Sequence, residues 1–376
     1  MTIGVAFAGF SCSFPMGPTL IQTFGMTNLQ FGMLTTTFAF AKLCWNIPSS
    51  ILAERYGRKP LLVGGLCCIA TGLGGVAAAS CYEELLLLRL LVGTGVASTF
   101  TAAGMYITDI SHPLNSARTR APMQMGMSAG LLLGPAGGGY LLEHWGLQTT
   151  SVVVGLISLG TVLLASLVLP ETLVHSGARR RTGGLMQTLQ SWGPILQDKS
   201  FRRILSWGFC YNGAFFAAHA LLPLAFTDLS LSPSVIGGVS TANAVVGLIA
   251  TPIVARAADH FGKLAVVLPG AVLYGSCLIL VPQATSLLEL LPILATMQVG
   301  GAMCSQGQMH AMDQVGIRHR AKVPGLWNTF GDVGMLTTSA ACATIAQLSG
   351  TTTAFQADGM FLLVATSVLF WVSRLR

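Results

Sequence analysis

Hydrophobic positions in this chain come in long unbroken runs separated by short polar breaks. LLVGGLCCIATGLGGVAAAS (61–80) and SVVVGLISLGTVLLASLVLP (151–170) are two of them. About 20 apolar residues is the length at which a helix crosses the hydrocarbon of a bilayer. The pattern predicts twelve spans: 2–21, 30–53, 60–79, 85–108, 121–142, 149–169, 204–226, 234–255, 264–281, 288–310, 323–346 and 357–373. The expected class is therefore an all-α, multi-pass membrane protein.

The polar breaks fix the orientation. With the amino terminus inside, the inner segments 54–59, 109–120, 170–203, 256–263, 311–322 and 374–376 hold 18 of the 20 Lys and Arg residues, and the opposite loops hold none. Positive charge stays cytoplasmic during insertion, so the amino terminus is assigned to the cytoplasm. The net charge of +7 then reflects topology and contact with the inner leaflet, and no nucleic-acid partner is needed to explain it. Mean hydropathy of +0.68 and only 9% charged residues argue against two soluble domains. The 44 glycines suit membrane helices, where small residues let backbones approach. The nine cysteines lie mostly inside apolar runs, without the spacing of a zinc site or disulfide framework, and are read as packing residues. Span 1 lacks a basic leader and contains Pro15 and Pro18, so it is not a cleaved signal peptide. It begins abruptly at Met1, and a few residues are expected to be missing from its start.

The chain repeats itself at an offset of 205. Pro18 matches Pro223, Gly32 matches Gly237, Glu54 matches Asp259 and Gly57 matches Gly262. RTRAP (118–122) and RHRAKVP (318–324) form a second pair, before spans 5 and 11. The predicted organisation is a six-helix half over 1–173, a cytoplasmic linker over 174–203 with ARRR at 178–181 and a short helix near 185–197, and a second six-helix half over 204–376. Two parallel half-repeats around a central cavity are the layout of rocker-type secondary transporters.

Four motifs carry a family resemblance. SILAERYGRKP (50–60) resembles the loop 2–3 signature of the major facilitator superfamily, with Glu54 at the usual Asp and Ser50 at the usual first Gly. LLLLRLLVGTG (85–95) resembles its span 4 signature, with Arg89 and Gly93 in place and Val92 where Gln is often found. GLLLGPAGGG (130–139) matches the span 5 signature through Gly130, Gly134, Pro135, Gly138 and Gly139, and LPET (169–172) resembles the usual close of span 6. The span 5 pattern is similar to that of the twelve-span drug:proton antiporters, including tetracycline-type exporters. Physically it is a glycine face for close packing with a proline kink; packing alone, with no bearing on direction, is the other reading. Span 1 carries no acidic residue.

The resemblance implies a cytoplasmic gate at Glu54, Arg55, Gly57, Arg58 and Asp109. Gly57 makes the turn between spans 2 and 3, Pro60 suits the first turn of span 3, and Glu54 can face a helix amino terminus or a basic partner. Arg58 is expected to reach Asp109 at the inner end of span 4. In the family such contacts hold the cytoplasmic side closed in one state and break in the other; a topological anchor of positive charge is the alternative. Asp259, Gly262 and Lys263 repeat the gate in shorter form, while His310 and Asp313 near the inner surface are read as solvated.

Ionisable groups inside spans are expensive and default to function. Lys42 lies roughly 18 Å above the inner surface and Asp332 roughly 15 Å, at 1.5 Å per residue. The resemblance puts spans 2 and 11 face to face, so the two are expected to pair near the midplane, coupled to transport or as a static structural pair. Arg89 is read as a coupling group or a helix anchor. Asn212, Phe216 and His219 recur at i, i+4 and i+7 on span 7 as a polar-aromatic stripe, and Gln298 and Gln306 on span 10 are weaker cavity candidates.

The expected function is secondary active transport of a small organic solute by alternating access, with protons as the coupling ion and antiport favoured. A facilitator, a proton symporter or a non-transporting sensor on the same fold stays open. No phosphate-cradling loop is present, so ATP does not drive the cycle directly. The seven histidines are scattered without ligand spacing, so neither a metal site nor an embedded enzyme is expected, and no cofactor is. The protein is expected to act as a monomer in the bilayer of the plasma membrane or of an organelle.

Overall fold

The computed structural model describes residues 2–110, 116–172, 192–315 and 323–374, and among these every regular element is helical. Helices occupy all twelve expected spans, with three departures. Span 1 is broken, running as Thr2–Cys12 and Met16–Phe24 around Pro15. Span 10 is broken at Ser305 into Leu287–Cys304 and Gln306–Asp313. Spans 5 and 6 run together over Ser116–Val168, and only Gly146, at φ 74° and ψ 176°, turns the chain between them. The run 178–181, the linker over 174–191 and RHRAK of the second basic pair lie outside the described residues; 192–196 is helical.

Local chemistry explains the helix starts. Asp198 caps Lys199–Asp228 by accepting from the Ser200 and Phe201 amides at 2.7 and 3.4 Å. At the outer end of span 4, Glu84 accepts from the Ser80 amide at 2.7 Å. Glu289 does the same for Thr285 at 2.8 Å before span 10, so the 205-residue repeat extends to helix capping.

The chain divides into two compact units. One comprises Met1–Gly25, Thr37–Leu189 and Ser232–Thr241; the other comprises Met26–Thr36, Gln190–Leu231 and Ala242–Arg376. Each sequence half thus lends the other a short outer segment, from the beginnings of spans 2 and 8. Within the first unit, a side-chain carbon at Gly65 of span 3 would fall 2.8 Å from the Gly95 carbonyl oxygen of span 4. Within the second, one at Gly270 of span 9 would fall 3.1 Å from that of Gly300 on span 10, the same pair displaced by 205. Lipid tails are as apolar as leucine, so helices in a bilayer associate through close van der Waals contact, and these glycines supply it.

Candidate functional site

At the cytoplasmic turn between spans 2 and 3, Gly57 has φ 113°, a value that favours glycine. The turn aims the first amides of span 3 at a carboxylate: Glu171 of LPET accepts from Arg58 N at 3.0 Å and Lys59 N at 3.1 Å. A side-chain carbon at Gly57 would lie 2.9 Å from Glu171 Cδ, so glycine leaves room for this cap as well as for the turn. An anion at a helix amino terminus meets unpaired amides and the positive end of the helix dipole. Arg58 closes the group. Its Nε donates to Asp109 Oδ2 at 2.8 Å and its Nη1 to the Ala53 carbonyl at 2.9 Å, while Thr172 Oγ1 donates to the same Asp109 oxygen at 3.1 Å. Arg55 lies over the Tyr56 ring at 5.4 Å, and Glu54 is exposed. Spans 2, 3 and 4 and the end of span 6 are therefore joined at one cytoplasmic knot.

The second half carries a reduced copy. Gly262 has φ 93°, and Lys263 Nζ pairs with Asp313 Oδ2 at 2.5 Å, so Asp313 is an ion-pair partner and not merely solvated. Lys263 is Arg58 displaced by 205 and Asp313 is Asp109 displaced by 204. Among the described residues the copy has no equivalent of the Glu171 cap: none of them comes close to Gly262, and Asp259 is exposed.

The span 5 glycines form the seat of span 1. Side-chain carbons at Gly130 and Gly134 would fall 2.7 Å from Ala8 N and 2.6 Å from Ala8 O, and one at Gly138 would fall 2.7 Å from Cys12 Cα. Ser11 Oγ donates to the Gly130 carbonyl at 2.8 Å across this contact. Gly139 and Pro135 face elsewhere, touching Pro233 and Gly237 at the start of span 8. One short motif therefore binds span 5 to span 1 on one side and to a helix of the other sequence half on the other.

The outer ends of spans 2 and 8 are held by matching contacts. Glu143, after span 5, accepts from Ser234 N at 3.0 Å and also from the Ser234 hydroxyl. Gln347, after span 11, accepts from Leu29 N at 3.3 Å through its Oε1, and Asn28 Nδ2 donates to the Ala346 carbonyl at 3.4 Å. Leu29 and Ser234 are 205 apart, and Gly32 and Gly237, also 205 apart, sit against Ala343 and Pro135 respectively.

Inside the spans, Lys42 and Arg89 belong to the first unit and the remaining candidates to the second. A side-chain carbon at Gly93 would fall 2.6 Å from Phe38 O and 3.3 Å from Lys42 N, so the backbone at Lys42 meets span 4 one turn inward of Arg89. Both side chains are half-buried, whereas Asp332 is 2% exposed. The span 7 stripe divides. His219 lies tilted against Phe215, ring centroids 4.3 Å apart, with its Nδ1 2.7 Å from the Phe215 carbonyl, and the column continues through Tyr211 to Trp207. Asn212 instead donates to Gly208 O at 2.8 Å and lies against Gly331 of span 11, beside Asp332. Phe216 meets Phe215 edge-on. Gln298 lies against Gly247 of span 8, and Gln306 opens the short helix after the Ser305 break.

Sequence reasoning did not single out Glu171, Glu143, Gln347 or Asp358. LPET contained the signal for Glu171, and the 205-residue offset contained the one for the two outer contacts.

A sequence model described as Major Facilitator Superfamily matches residues 1–225 and 217–376, which is the whole chain. The chain belongs to the Major Facilitator Superfamily. It is accordingly an integral, multi-pass membrane transporter of small solutes and not an enzyme. An uncharacterized MFS-type transporter of Methanocaldococcus jannaschii, MJ1560, is 20% identical over 367 residues, 96% of this chain and 92% of that protein. The quinolone resistance protein NorA of Staphylococcus aureus is 20% identical over 242 residues, 63% of this chain and 61% of its own length. Among solved structures, a bacterial homolog of the human lysosomal transporter Spinster, captured inward-facing and occupied, superposes with TM-score 0.79 at 15% identity over 99% of this chain and 95% of that one.

Proposed function

We propose that the protein is a secondary active transporter that moves a small organic solute by alternating access, driven by protons and operating as an antiporter. The observation that carries this reading is the complete span 5 motif, seated on span 1 by Gly130, Gly134 and Gly138 and touching span 8 through Pro135 and Gly139. A helix bound to both sequence halves by glycine and proline contacts is suited to a rocking motion, because small residues let rigid helices slide without unpacking side chains. The match to a quinolone resistance protein supports export of an aromatic organic solute. The Arg58–Asp109–Glu171 knot is the cytoplasmic gate element in this reading, and Lys263–Asp313 is its weaker counterpart.

The test is flux in proteoliposomes with and without an imposed pH gradient, using norfloxacin and ethidium as probes. Antiport predicts probe movement opposite to the proton gradient and proton flux coupled to it. Gradient-independent flux would indicate a facilitator, co-directional flux a symporter, and no flux of either probe would remove the organic-solute reading.

A further inference from the structure

Asp358 of span 12 is 2% exposed, and neither of its carboxyl oxygens has a hydrogen-bond partner among the described residues. It is held where spans 9 and 12 touch backbone to backbone: a side-chain carbon at Gly359 would fall 2.6 Å from the Gly275 carbonyl oxygen. That approach places Tyr274, next to Gly275, and Asp358, next to Gly359, in one buried seam. The Tyr274 hydroxyl is also buried and unpartnered, at 1% exposure. Its neighbour Tyr211 on span 7 donates its hydroxyl proton to the Gly301 carbonyl at 3.1 Å.

The groups facing Asp358 are few. Span 9 contributes Tyr274, and span 11 contributes the Cys342 thiol, which lies beside the carboxyl without closing a hydrogen bond of normal geometry. On span 7 the Trp207 indole donates to Thr366, eight residues further along span 12, and around Tyr274 lie Tyr211, Cys277 and Cys304. None of these is a cation. The basic residues Lys199, Arg202 and Arg203 are at the cytoplasmic end of span 7, and Asp358 is 16 residues from the inner end of span 12, roughly 24 Å along the axis. A carboxylate so enclosed has neither water nor a counter-charge to offset its desolvation, whereas the un-ionised acid needs neither.

We propose that Asp358 is a proton-binding site of the second half: it carries a proton in the conformation described here and releases it only when spans 9, 11 and 12 part enough for water to reach the carboxyl. Binding forms the O–H bond of the acid, and release hands that proton to water. As a proton site the proposal stands by itself; its part in transport rests on the proton-driven reading above.

The test uses the full chain reconstituted in lipid and infrared difference spectroscopy. A carbonyl stretch of a protonated carboxylic acid is expected at neutral pH and is lost in Asp358→Asn. Absence of that band, or its survival in the variant, overturns the proposal. Should Asp358→Asn not fold, Asp358→Glu keeps an acid at the site and must shift the band, because the absorbing group itself is changed; an unshifted band overturns it equally. In proteoliposomes, Asp358→Asn is expected to abolish ethidium movement driven by a pH gradient while exchange of ethidium down its own gradient continues. Gradient-driven movement at the wild-type level in the variant would refute the coupling role and leave antiport intact. A chain that shows the acid band but carries neither probe would support the proton site and remove the organic-solute reading instead.

Discussion

Removing the Glu143 carboxylate should loosen the outer end of span 8 by a calculable amount. Glu143 accepts from the Ser234 amide and hydroxyl, which makes it a helix cap supplied by span 5 to span 8. Loss of such a cap shifts the equilibrium it holds by about fivefold, the middle of the range for capping side chains. Gln347 makes a single 3.3 Å contact with Leu29 N, without charge, so its removal sits at the low end of that range, about twofold. If these contacts are made only while the outer side is closed, Glu143→Ala raises the open population about fivefold and Gln347→Ala about twofold. The two sites share no partner, so their effects should multiply to about tenfold in the double variant. Ile236, 1% exposed beside the cap, provides the reporter. In an Ile236→Cys background, a membrane-impermeant maleimide added outside labels the new thiol only on opening, and peptide-resolved mass spectrometry separates it from the exposed native Cys81. When labelling is slow relative to opening, its rate tracks the open population. Equal labelling in parent and Glu143→Ala would refute the argument, and a larger gain from Gln347→Ala would invert the ranking of the two caps.

Three further outcomes follow from the cytoplasmic knot and the span 5 seat. Arg58→Ala should change transport turnover more than substrate affinity; as the Arg58 and Asp109 side chains are 13% and 29% exposed, the static pair is worth only about 1 kcal/mol, and unchanged turnover in a well-folded variant would count against a gating role. Gly57→Leu should impair transport more than Gly262→Leu: both positions have positive φ, but only Gly57 is closed in by Glu171, and a greater loss at Gly262 would reverse this. Gly134→Leu should abolish accumulation of folded protein, measured by fluorescence-detected size exclusion, because its side chain would enter the Ala8–Ser11 turn of span 1, whereas Gly137→Leu, with open space around it, should accumulate normally.

The parts of this protein that were readable from sequence are those set by solvent. Hydrocarbon demands runs of about 20 apolar residues, so the spans are written in composition alone. Arg58 and Asp109 were also legible, since opposite charges at one membrane level have few other partners. What escaped were contacts whose donor and acceptor are far apart in the chain and weakly typed by residue. Glu171 caps amides 113 and 112 residues away, and LPET marks the residue without naming its partner. The helix breaks at Ser13–Pro15 and Ser305 escaped because hydropathy is indifferent to whether a turn is α-helical. Asp358 escaped for a different reason. Hydropathy started span 12 at 357, which put the carboxyl at the membrane boundary, where an acid costs little; the helix in fact begins at Thr351. Asp358 is thereby seven residues into the helix, roughly 10 Å from its outer end, and the Gly275–Gly359 contact then seals it from water. A difference of six residues in a helix start therefore hid a buried carboxyl with no partner among the described residues. The internal repeat is the better guide to such sites. Position 153, the counterpart of Asp358 at the offset of 205, is Val153, so the second half departs from its own template at the place where a charge is hardest to accommodate.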